Sequence, residues 1–187
     1  MAKTLPTNKF PERRMTMKDK TKQITLTASF AALIFLFTYF VKVPVASGYV
    51  HLGDTLIYLL ACIIGGPWAM LAGAIGEGLA DVIGGYVMYA PATVLIKAAV
   101  AVPFLFFTKK SDKILTLWTG LMTLPAALIT VGGYFLADCI IDKTYAVADI
   151  PGNVIQAVGS AVLFIVLSMV FDRMNLKQRL LKEKSTV

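Results

Sequence analysis

The sequence predicts an all-α integral membrane protein with six transmembrane helices and both termini cytoplasmic. Three observations carry that expectation. Of the 187 residues, 57% are hydrophobic and the mean hydropathy is +0.73, whereas soluble domains are about 45–50% apolar. Six apolar segments follow one another, separated by breaks rich in Gly, Pro or charge. Fifteen of the eighteen Lys and Arg residues fall in three patches, at 3–22, 109–113 and 173–184. An even number of crossings puts all three on one side, and clustered Lys and Arg mark the cytoplasmic side. This length makes one domain: a membrane domain over 22–173 between basic cytoplasmic tails at 1–21 and 174–187.

The elements follow in order. Residues 1–20 are polar and basic and contain Pro6 and Pro11. Their long basic region, with no small-residue cleavage site after 24–40, does not fit a secretory signal. A first span is expected over 24–41, then a turn of mixed character from Lys42 to His51. The second span, 53–64, is short against the roughly 20 residues of an upright crossing, so it is tilted or covered by neighbours. Gly65, Gly66 and Pro67 break the chain, since Pro cannot continue a helix and Gly permits a tight turn. The third span, 68–83, ends at Gly84 and Gly85, and residues 86–89 form a short aromatic connection. The fourth, 91–107, opens on Pro91, a residue suited to a first helical turn. Beyond the loop of Lys109, Lys110 and Lys113, the fifth span covers 115–140, with kinks expected at Pro125 and Gly132-Gly133. The connection 142–151 is acidic and expected to be exposed, and the sixth span covers 153–171. Cys62 and Cys139 fall toward opposite faces and are expected to be free thiols.

A net charge of +7 does not point to nucleic acid, because long apolar stretches separate the basic patches. The informative charges are Glu77, Asp81 and Lys97, inside apolar sequence. Ionisable groups at membrane depth are functional candidates by default. Glu77 and Asp81 are four apart and share a helical face, with Gly73, Gly76, Gly78 and Ala80 around them. The three charges are expected to meet in the outer half of the bundle. The plainer reading, an ion pair that only locks two helices, applies most to Lys97 with Glu77. Tyr49, His51, Asp54, Tyr86, Tyr89, Asp138, Asn153 and Gln156 converge on the same level. The candidate substrate-binding set is therefore His51, Glu77, Asp81, Tyr86, Tyr89, Lys97, Asp138, Asn153 and Gln156. Interfacial Tyr often only anchors, Asn153 is suited to cap the sixth span, and the lone His51 has no second His for a metal site. No metal and no cofactor are expected. Ala28 and Ala32, one turn apart on the first span, form a small-residue surface suited to docking a partner helix. The chain has no G-x-x-x-x-G-K-[ST], H-E-x-x-H or G-x-S-x-G, so nothing points to an enzyme.

Four segments, Gly48-Tyr-Val-His-Leu-Gly-Asp54, Gly65-Gly-Pro-Trp-Ala-Met-Leu-Ala-Gly73, Ala80-Asp81 with Gly84-Gly-Tyr86, and Tyr89-Ala-Pro-Ala-Thr-Val-Leu-Ile-Lys97, resemble the substrate-binding S components of energy-coupling factor (ECF) vitamin transporters. The likeness covers about residues 22–172. It implies a multi-pass protein of the cell membrane that binds a vitamin at its outer face, with the first outer connection as a lid. It also implies docking through Ala28 and Ala32 onto a transmembrane coupling subunit driven by two cytoplasmic ATPases, with toppling in the bilayer to release substrate. The hydroxymethylpyrimidine or pyridoxine type fits first. Glu77, Asp81 and Asp138 suit ring-nitrogen donors or an amine, Lys97 suits a phenolate or carboxylate, and Tyr86 and Tyr89 suit stacking on an aromatic ring. A pantothenate-specific or other vitamin-specific S component is the alternative, although pantothenate would have Lys97 alone to hold its acid. Outside this family stand a stand-alone small channel or proton-coupled carrier using Glu77, Asp81 and Lys97, and a scaffold whose buried charges only lock helices.

Overall fold

The shortest predicted span is the axis of the fold. In the computed structural model, which describes residues 17–45, 48–106 and 111–181, helix α2 (Asp54–Ile64) is buried from Asp54 through Ile63. Around it stand α1 (Met17–Phe40), α3 (Gly66–Gly84), α4 (Ala90–Val100) and α8 (Ile150–Arg173), with α6 (Thr123–Ile141) between α4 and α8. An 11-residue helix is tolerated because its neighbours, rather than its own length, shield its polar ends. The core beside it is a cluster of Tyr58, Phe104 and Phe164, with ring centroids 5.1, 5.8 and 5.9 Å apart, an edge-and-face arrangement that aromatic pairs favour.

Glycines on α3 set how closely the helices approach. A Cβ at Gly76 would lie 2.7 Å from the Ala31 carbonyl of α1, and one at Gly78 would lie 2.7 Å from Val94 of α4. Only a hydrogen fits at such contacts, as in membrane helix pairs generally. The junctions also need glycine. Gly65 between α2 and α3 has φ +111°, and Gly85, which ends α3, has φ +88°, conformations that cost other L-residues steric strain. The Gly85 N–H closes the helix onto the Asp81 carbonyl.

Four local expectations need correction. The turn after the first span is a β-hairpin, so the fold is not purely helical: β1 (Lys42–Pro44) pairs antiparallel with β2 (Tyr49–His51), Lys42 opposite His51. Val43, Tyr49 and Val50 are β-formers, and Pro44 is tolerated on a strand at a sheet edge. The α-helical part of the fourth span stops at Val100 and continues as a 3₁₀ turn, Val102–Phe106, because Pro103 has no N–H to extend the ladder. The fifth segment is divided at Met122 into α5 (Leu117–Leu121) and α6, and α6 runs on through Pro125 and Gly132-Gly133. Pro125 falls in the first turn of α6, where an N–H has no intrahelical partner anyway. The acidic connection is not simply exposed. Asp142 accepts a hydrogen bond from the Thr144 amide and starts α7 (Lys143–Ala146), and Ala146 and Asp149 are buried.

The chain ends its described part with α9 (Leu176–Leu181). By length and composition, Lys20–Phe40, Leu117–Ile141 and Ile150–Arg173 can each cross a bilayer, while Asp54–Ile64 and Ala90–Phe106 are shorter apolar helices. Large apolar side chains such as Leu95, Leu128 and Ile140 are exposed around the bundle. Cys62 is buried, Cys139 is half-buried, and neither is in a disulfide. Much of the basic N-terminal tail, Lys109, Lys110, Lys182, Lys184 and Ser47 of the first connection lie outside the described residues.

Candidate functional site

The polar groups gather at the hairpin end of the bundle, in two layers. In the deeper layer, Lys97 Nζ lies 2.7 Å from Asp54 Oδ1 and 3.2 Å from Glu77 Oε2, all three side chains fully buried. His51 Nε2 lies 3.3 Å from the same Glu77 oxygen. Gln156 donates from Nε2 to Asp54 Oδ2 at 3.1 Å and accepts from the His51 backbone N–H at 3.2 Å. The Gly53 amide donates to His51 Nδ1 at 3.1 Å, which leaves Nε2 as the protonated ring nitrogen facing Glu77. Glu77 meets Lys97 and His51 at ion-pair distance without a well-directed hydrogen bond. A buried ammonium is tolerated here because two carboxylates surround it; alone it would carry a large desolvation cost.

Above this layer lies a cleft lined by Val45, Gly48, Tyr49, His51, Asp81, Tyr86, Tyr89, Tyr134, Asp138, Asp149 and Asn153. Two of its three carboxylates are held by phenols. Tyr49 Oη donates to Asp81 Oδ1 at 2.6 Å and Tyr89 Oη to Asp138 Oδ1 at 2.8 Å. The Tyr134 hydroxyl shares a 3.1 Å hydrogen bond with Thr93 Oγ1. Burial, and then the Asp81 carboxylate, push the Tyr49 hydroxyl well above the usual tyrosine range, so it stays a neutral donor. The Tyr49 and Tyr86 rings meet edge-on at 4.9 Å. Lys42 Nζ sits 4.7 Å from the Tyr39 and Tyr49 ring centroids and 5.9 Å from that of Tyr86. This cation–π contact ties the hairpin to α1 and to the α3–α4 connection.

Six of the nine expected site residues line the cleft: His51, Asp81, Tyr86, Tyr89, Asp138 and Asn153. Glu77, Lys97 and Gln156 lie in the layer beneath. Glu77, Asp81 and Lys97 do not meet as a triad, because Tyr49 takes Asp81 and Asp54 takes its place beside Lys97. Asn153 does not cap its helix. That helix starts a turn earlier, with Asp149 before Ile150, which frees Asn153 to line the cleft. Asn153 and Gln156 point to different layers rather than to one contact. Tyr134 and Asp149 join the lining without having been expected. Each lies four residues before an expected site residue, Asp138 and Asn153, and that spacing is the signal that finds them. Among the described residues, no group of three or more His, Cys, Asp and Glu is arranged to hold a metal ion.

A second surface lies on the side of the bundle. Ala28 and Ala32 are exposed. With Ile24 and Phe35 of α1 and Trp68, Leu71, Ile75, Leu79 and Ile83 of α3, they line an apolar groove. The last four α3 residues recur every fourth position and form one exposed stripe.

Two comparisons bear on this arrangement. A family model described as "ECF-type riboflavin transporter, S component" matches residues 18–173. An uncharacterised protein from the gap 3′ region of Pyrococcus woesei is 31% identical over 124 residues, which cover 66% of this chain and 82% of that protein.

Proposed function

The chain belongs to the ECF-type riboflavin transporter S-component family, membrane-embedded vitamin-transport subunits rather than enzymes, and on that premise we propose that it captures one small heteroaromatic vitamin in the cleft at the hairpin end. The cleft carries the proposal: four tyrosines and three carboxylates converge on one opening at that end of the bundle. Tyrosine faces suit a flat ring, and carboxylates suit its N–H and O–H donors. Hydroxymethylpyrimidine and pyridoxine carry both features on a small body. Riboflavin, the vitamin in the family's description, carries them on a larger one. Lys97 does not act as a free anchor for an acid, since Asp54 and Glu77 already balance it, and this weighs against pantothenate. In this reading His51, Asp81, Tyr86, Tyr89, Asp138 and Asn153 meet the ligand. Glu77, Lys97 and Gln156 act from below by fixing His51 and β2.

The proposed topology is six crossings of the cell membrane with both termini cytoplasmic. The three long apolar helices, the two shorter ones and α3 supply the crossings, and the grouping of basic residues supplies the orientation. The hairpin end is then extracellular, and the hairpin is the lid. The groove of Ala28 and Ala32 against the α3 stripe is the proposed docking face for a transmembrane coupling subunit driven by two ATPases. Its exposed apolar side chains and small residues suit tight helix packing.

Ala32→Trp separates capture from coupling. It fills the groove and leaves the cleft alone, so binding to the purified chain should be unchanged while uptake by the assembled transporter is lost. Normal uptake by Ala32→Trp would remove the docking assignment.

A further inference from the structure

We propose that the cleft admits the uncharged or cationic form of its ligand and rejects the phosphorylated form, and that Asp138 makes this selection by accepting a hydrogen bond from the ligand; the proposal rests on the vitamin-capture reading above. Two independent observations carry it.

The first is an orphaned acceptor. Asp138 is 1% exposed and its Oδ1 accepts from Tyr89, yet its Oδ2 is buried with no hydrogen-bond partner. Buried polar atoms are almost always paired, and leaving one unpaired is costly. Asp138 lines the cleft, so a group arriving there can supply the missing partner. A carboxylate oxygen only accepts, so the arriving group must bring an O–H, an N–H or an ammonium. A phosphate dianion brings none.

The second is the charge around the cleft. Asp81, Asp138 and Asp149 line it, and no Lys or Arg does among the described residues. The cations nearby are already engaged. Lys97 lies between Asp54 and Glu77, Lys42 sits over the Tyr39, Tyr49 and Tyr86 rings, and His51 directs Nε2 at Glu77. An entering anion meets the carboxylates of Asp81 and Asp138, each held by a neutral phenol, and like charges brought together in a partly dry site repel strongly. An alcohol of the same ring system meets only acceptors it can satisfy.

The test uses the full chain, purified in detergent, titrated calorimetrically at near-physiological salt with three pairs: riboflavin and riboflavin 5′-phosphate, pyridoxine and pyridoxine 5′-phosphate, and hydroxymethylpyrimidine and its phosphate. At least one alcohol should bind, with its phosphate ester about 100-fold weaker or more. Asp138→Asn keeps an oxygen for Tyr89 but removes the charge. It should weaken the alcohol about tenfold and narrow the alcohol-to-ester ratio, which a purely structural role would leave unchanged. An ester that binds within tenfold of its alcohol overturns the proposal while leaving vitamin capture standing; so does a ratio unchanged in Asp138→Asn. The ratio in the unmodified chain tests the selection itself even if the variant does not fold. No binding by any of the six compounds overturns the capture reading and this proposal with it.

Discussion

The two polar layers at the hairpin end differ in what their charges already hold. Beneath, Lys97, Asp54, Glu77, His51 and Gln156 contact one another, and nearly every charge has its partner within the protein. Above, Asp81 and Asp138 are each held by one phenol and face a cleft, and Asp138 keeps an unpaired oxygen. In the proposed capture, the closed layer is the floor and the open one the receptor. Ionisable residues at one end of one bundle thus differ in whether their partners are all supplied by the chain.

The largest expected effect breaks the floor. Lys97→Met leaves two buried carboxylates without their cation, a kind of loss that costs about 3–5 kcal/mol. The thermal unfolding midpoint in detergent should fall sharply with or without ligand, and an unchanged midpoint would erase the distinction between the layers. Next comes the open layer. Tyr49→Phe removes the donor to the Asp81 carboxylate, a charged hydrogen bond of about 1.5–3 kcal/mol. The loss should appear in ligand affinity and in hairpin order measured by hydrogen exchange. Because burial and Asp81 raise the Tyr49 value, the contact is fully present below the ordinary tyrosine value of about 10. It is lost only as pH rises through the raised one. A step in ligand affinity between about pH 7 and 9 that vanishes in Tyr49→Phe would contradict this. A smaller effect is expected at the seam between helix and hairpin. A Cβ at Gly53 would collide with Thr38 Oγ1, lie 2.8 Å from Glu77 Oε1 and lie 3.1 Å from His51 Nδ1. Gly53→Ala should cost about 1–3 kcal/mol by overpacking, read in the same unfolding assay. Ala32→Trp, remote from both layers, should change neither affinity nor midpoint.

Much of the scaffold is legible in the sequence. The apolar runs and the breaks at Gly65-Gly66-Pro67 and Gly84-Gly85 locate the helices because they act locally through backbone conformation. What is not legible depends on how the helices rotate against one another. The shortness of 53–64 leaves tilt and cover by neighbours both open, and which helices cover it on all sides is set by packing. The sequence offers Lys97 several carboxylates, and that it meets Asp54 while Tyr49 takes Asp81 depends on how α2, α3, α4 and the hairpin pack. The cleft is intermediate. Tyr134 with Asp138 and Asp149 with Asn153 follow one-turn spacing, but only the hairpin, which brings Tyr49 to Asp81, makes them parts of one wall.

The most direct measurement is titration of the purified chain, without a coupling subunit or ATP, with riboflavin, pyridoxine and hydroxymethylpyrimidine, alongside an Asp81→Ala/Tyr86→Ala variant of normal secondary structure. Saturable one-to-one binding of one of the three, lost in the variant, is the predicted result. Binding that survives intact in the variant would contradict capture in the cleft.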